Sequence, residues 1–113
     1  MEHANVEKLN ELKFVLGDSY SHLLQTFITN AQRMINQLNA LCDSRDENIE
    51  EIGSLAHSLK GTTGNVGANS MYKYATQLDK LAKEKNLSVM PELMTEMSKA
   101  FEAFKTVIEK KAS

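Results

Sequence analysis

Cysteine occurs once in this chain, at Cys42, so no disulfide can close within it and a reducing compartment is expected. At the end of an apolar stripe, that residue reads as a small core group and not as a reactive thiol. No apolar run approaches the ~18–20 residues that cross a bilayer. Met1 leads into Glu2, His3 and Asn5 instead of a basic and then apolar leader, which removes the membrane and secretory classes and leaves the cytoplasm as the expected location. A basic stripe is missing as well. The 13 Lys and Arg are scattered against 15 Asp and Glu, for a net charge of −2, so a nucleic-acid partner is not expected. There is also no Gly-rich nucleotide loop.

What is present is a regular helical pattern. With 113 residues, 42% hydrophobic and 25% charged, the chain suits one soluble domain spanning 1–113 with a single core. Apolar residues keep a helical period almost throughout and a strand period nowhere. A short first helix carries Val6, Leu9, Leu12 and Leu16 and closes at Gly17 and Asp18; Asp18 and Ser19 then offer N-cap oxygens to a second. The second stripe is the strongest: Leu24, Phe27, Ile28, Ala31, Met34, Ile35, Leu38, Leu41 and Cys42. Residues 43–46 form a turn. A third helix buries Ile52, Leu55, Ala56, Leu59 and Thr63 and breaks between Gly64 and Gly67. The fourth, capped by Asn69 or Ser70, shows Met71, Tyr74, Ala75, Leu78, Leu81 and Ala82 and fades at Lys85 and Asn86. The fifth starts after Ser88, accommodates Pro91 in its first turn and buries Leu93, Met94, Met97, Phe101, Phe104 and Ile108. The expected fold is all-α: an up-down four-helix bundle with a short additional N-terminal helix as a lid over one end.

Within the third helix, His57 stands among very small neighbours. Gly53, Ser54, Gly61 and Gly64 occupy i−4, i−3, i+4 and i+7, the positions beside it on one helical face. Each interior glycine costs about 0.5–1 kcal/mol relative to alanine, so their clustering implies a purpose other than stability. Access to the imidazole is the purpose inferred. At about 100° per residue, His57 lies roughly 140° from the centre of the buried stripe and faces water. Gly53, Gly61 and Gly64 are expected on that outer side, forming a shallow convex surface suited to a protein partner more than to a small substrate. Lys60, at i+3, is long enough to bring its ammonium to an anion held at the ring. Phe14 and Val15 read either as an apolar docking patch beside His57 or as core.

The run His57-x-Leu59-Lys60-Gly61, followed by Gly64 and then Gly67-Ala68, resembles the histidine-containing phosphotransfer (HPt) domains of multistep two-component signalling. Helix lengths and apolar spacing extend the likeness over roughly residues 5–110. The resemblance implies a phosphoryl group carried on the Nε2 atom of His57, with Lys60, Gly61 and Gly64 around it. It also implies a polar side chain on the next helix, about 22 residues on, in contact with the ring. Asp79 stands at that position where many members have glutamine, and Gln77 is a second candidate for the same role.

An imidazole with an ordinary pKa near 6.5 is a competent neutral nucleophile at cellular pH, and an aspartate on its second nitrogen would orient it and raise its basicity. Phosphoryl transfer to and from carboxylates uses Mg²⁺ held by clustered acids, and no acid cluster lies near His57, so the partner is expected to supply the metal. The chain itself then needs no cofactor. With the resemblance, these absences imply a phosphohistidine carrier without kinase or ATP-binding motif, expected to pass phosphate between His57 and aspartates of response-regulator receiver domains, with a hybrid sensor kinase upstream. A free-standing monomer is expected. Two other readings stand beside this one. A non-catalytic helical docking module would share the fold, and a metal-binding four-helix bundle would need inward Glu-x-x-His pairs, a spacing that His3, His22 and His57 do not meet.

Overall fold

The computed structural model describes residues 4–112. They form five α-helices: α1 Val6–Leu16, α2 Tyr20–Leu41, α3 Ile49–Val66, α4 Asn69–Lys83 and α5 Met90–Ala112. No strand occurs among the described residues. The last four make the up-down bundle, and α1 closes one end of it. Their stripes meet in one core, where Phe27 of α2 and Phe104 of α5 pack edge to face with centroids 5.5 Å apart. Leu38, Ile52, Leu59, Met71, Leu78, Met97 and Phe101 fill the layers around that pair. Cys42 is half-buried at the margin of this core.

The joints depart from the sequence expectation. The segment Gly17–Ser19 is a 3₁₀ turn that continues almost helically into α2, with Ser19 at φ −80° and ψ −8°, so neither Asp18 nor Ser19 caps the helix through its side chain. The turn expected at 43–46 is likewise a 3₁₀ segment, Cys42–Glu47, interrupted at Ser44. At α4 the cap residue is Ala68 and not Asn69 or Ser70; Asn69 is already helical, because Gly67 in the left-handed region (φ 75°) turns the chain early enough.

That corner also holds the lid. The Asn5 side chain accepts a hydrogen bond from the Lys8 backbone N–H at 3.0 Å, capping α1, and the Asn5 N–H donates to the Gly67 carbonyl at 2.7 Å. A Cβ on Gly67 would lie 3.1 Å from the Cβ atoms of Asn5 and Lys8, so glycine is needed there for its φ and for the close approach of α1. Only Leu9 of the α1 stripe is fully buried, and Val6 is 40% exposed.

Candidate functional site

His57 projects from the middle of α3 with 71% of its side chain exposed, as its angle to the buried stripe predicts. The three glycines around it do not share one environment. At 3.6 residues per turn, Gly53 and Gly64 lie roughly 40° and 20° to one side of His57 and Gly61 roughly 40° to the other. That difference decides what each one meets. A Cβ on Gly61 would find nothing within 4 Å. One on Gly53 would touch the Ala82 Cβ of α4 at 3.3 Å, and one on Gly64 the Tyr72 ring, also on α4, at 3.3 Å. The expected clearing of three glycines is therefore corrected at Gly53, which is half-buried in the seam with α4; Gly61 and Gly64 are both exposed, with the Tyr72 ring of α4 beside Gly64.

The seam positions the second half of the site. Ala82 of α4, buried, faces Gly53 across it, and helices approach more closely where facing residues are small. No other pair of helices is in such extensive contact. One turn before Ala82, Asp79 is drawn under the edge of α3 and its side chain is only 5% exposed. Its Oδ2 lies 3.8 Å from His57 Nδ1 and 3.9 Å from Lys60 Nζ. Lys60 sits on the seam side of His57, roughly 60° around α3, and its side chain is 33% exposed.

Of the two candidates on α4, geometry brings Asp79 to the ring and leaves Gln77 away from it. Two residues turn a helix by roughly 200°, and Gln77 lines a shallow surface groove with Asn69, Tyr72, Lys73 and Thr76. Phe14 and Val15 are 91% and 70% exposed, which rules out the core reading for both. His22 is exposed on α2, and His3 lies outside the described residues. Among the described residues, no three His, Cys, Asp or Glu side chains converge to hold a metal ion, so a metal-binding bundle finds no ligand set there.

One member of the site has no counterpart in the sequence reading. Lys83, on the last turn of α4, donates a hydrogen bond from Nζ to Asp79 Oδ2 at 3.2 Å. Its i+4 spacing from Asp79 is the available signal, since carboxylate and lysine one turn apart meet on a helix surface. Tyr72 of α4 has no such counterpart either; its ring lies beside the exposed Gly64, 3.3 Å from where a Cβ would stand.

An exposed histidine beside a buried carboxylate flanked by two lysines, all on one face of a helical bundle, is the class of site that the structure presents. The comparisons agree with that class. The sequence model of the Hpt domain matches residues 22–107, and the chain belongs to the Hpt domain family. None of the curated proteins compared with the chain matches it significantly. Among solved structures, histidine-containing phosphotransfer protein B (HptB) from Pseudomonas aeruginosa superposes with a TM-score of 0.91 at 26% identity, over 96% of this chain and 93% of that one. A rice chain described as a histidine-containing phosphotransfer protein gives 0.83 at 18% identity, over 96% and 78%. The maize protein ZmHP2 gives 0.78 at 22% identity, over 91% and 87%. At those identities, the plant structures support the fold.

The chain is thus a phosphorelay intermediate of two-component signal transduction. Members of its family are phosphotransfer carriers that interact with response regulators and kinases. Among the described residues, no helix is long and apolar enough to cross a membrane.

Proposed function

We propose that His57 is the phosphoryl acceptor and that it exchanges the group with aspartates of response-regulator receiver domains. The observation that carries this reading is an imidazole 71% exposed whose Nδ1 is turned toward the buried Asp79 carboxylate. With the ring proton on Nδ1, Nε2 keeps its lone pair on the far edge of the ring, facing the partner. That lone pair forms the N–P bond as the P–O bond of the aspartyl phosphate breaks, and the bonding electrons return to the partner's aspartate as carboxylate. The ring gains positive charge in the same step, and Asp79 lies where that charge develops. Lys60 offsets the phosphoryl oxygens, and Gly61 leaves room for the receiver to come into contact.

Mg²⁺ belongs to the receiver in this scheme, which supplies most of the catalysis, and this chain needs no cofactor of its own. It is a carrier and not a kinase. A hybrid sensor kinase upstream, a cytoplasmic location and a monomeric state complete the proposal. The test is radiolabel transfer from individually phosphorylated receiver domains to the wild-type chain and to His57→Gln. Acid-labile label on the wild type and none on His57→Gln is expected. Label retained by His57→Gln overturns the assignment, and no label on wild type from any receiver favours a docking module without chemistry.

A further inference from the structure

Among the described residues, Asp79 is the one charged side chain that is buried, and three cationic or ionisable groups converge on the same oxygen, Oδ2. They are not equivalent. Lys83 Nζ is within hydrogen-bond distance at 3.2 Å, whereas Lys60 Nζ at 3.9 Å and His57 Nδ1 at 3.8 Å are not. A carboxylate only 5% exposed has little water to stabilise it and takes an ammonium where one is in reach. Both lysines reach, from different helices: Lys60 from α3 and Lys83 from α4. Whichever one Asp79 holds is unavailable to a second anion.

We infer that Lys83 is a positioning residue for phosphoryl transfer: as the resident counter-ion of Asp79, it leaves the Lys60 ammonium free for the phosphoryl group on His57. This rests on the reading of His57 as acceptor. Lys83 need not touch the phosphoryl group. In its absence, Asp79 retains Lys60 as its only nearby ammonium, and the incoming dianion must compete with a buried carboxylate for it. The role exists because an aspartate occupies this position; a neutral amide there would need no counter-ion. The stability role of Lys83 is small because Lys60 stays in reach of Asp79 when Lys83 is removed, so the buried carboxylate is not left without a counter-ion.

The discriminating measurement is the transfer rate from one radiolabelled receiver domain that charges the wild-type chain, read in two backgrounds. Lys83→Met is expected to slow transfer about tenfold, equivalent to about 1.4 kcal/mol of barrier, with an unchanged thermal melt. Lys83→Arg, which keeps the cation, should stay within about twofold of wild type. In the Asp79→Asn background, adding Lys83→Met should change the rate by less than about twofold, whereas adding Lys60→Met should still slow it. Lys83→Gln repeats the comparison without an apolar side chain. Wild-type rates for Lys83→Met and Lys83→Gln overturn the inference. So does an equal loss in both backgrounds, which would mean that Lys83 contacts the phosphoryl group or the receiver directly. Labelling of His57→Gln in the same assay would instead overturn the acceptor assignment.

Discussion

The two flanks of α3 on either side of His57 each carry glycine, and Gly61 and Gly53 do opposite things there. On the Gly61 flank, the helix surface is empty for at least 4 Å, and glycine there forfeits helix propensity with no packing in return. On the Gly53 flank, the missing side chain is filled by Ala82 of the neighbouring helix, and the close approach it permits brings Asp79 beneath the imidazole. Small residues on a helix thus have two readings, clearance for a partner and clearance for another part of the same chain. Roughly 80° of helical rotation separates them here.

Substitutions on the two flanks sharpen the contrast. The largest effect lies on the buried side: Leu59→Ala, two residues from His57 and fully buried, should cost about 2–5 kcal/mol in a denaturant melt. His57→Gln should stay within about 0.5 kcal/mol. Equal losses would erase the distinction between core and open face. Next comes Gly53→Leu, whose side chain has to displace Ala82; about 1–3 kcal/mol of overpacking is expected, together with slower transfer as Asp79 moves away from His57. Wild-type transfer by a folded Gly53→Leu would show that the close seam is not what places Asp79.

Gly61→Gln should do the reverse of Gly53→Leu, melting at or above the wild-type temperature while relaying at least about tenfold more slowly, roughly 1.4 kcal/mol of barrier. If it relays at full rate, open space beside His57 is not a docking requirement. The smallest effect is the cleanest comparison of the flanks. Gly61→Ala should gain about 0.5–1 kcal/mol of stability from helix propensity alone. Gly53→Ala should gain less or lose, because its Cβ meets Ala82 at 3.3 Å. Equal gains at both sites would mean that α4 can shift freely on α3, contrary to a close-packed seam.

Much of this molecule was legible in the chain because helices are written locally. The 3.6-residue period set out the five helices and their buried faces, and the angle between His57 and the stripe of Ile52, Ala56 and Leu59 was enough to place the imidazole in water. Residue spacing along one helix likewise contained the Asp79–Lys83 pair, although a single i, i+4 pair carries no mark that distinguishes it from an ordinary surface contact. The helix joints were less legible: a capping side chain competes with whatever the preceding turn does, and at Ala68 the left-handed Gly67 prevailed over the polar Asn69 and Ser70. Which glycine is open and which is filled depended on how close α4 lies and on which side, a distance between segments that no local pattern encodes. The same holds for Asp79 over Gln77 and for the exposure of Phe14 and Val15. Periodicity fixes a residue's direction about its own helix axis; what stands in that direction is decided by the packing of one helix on another.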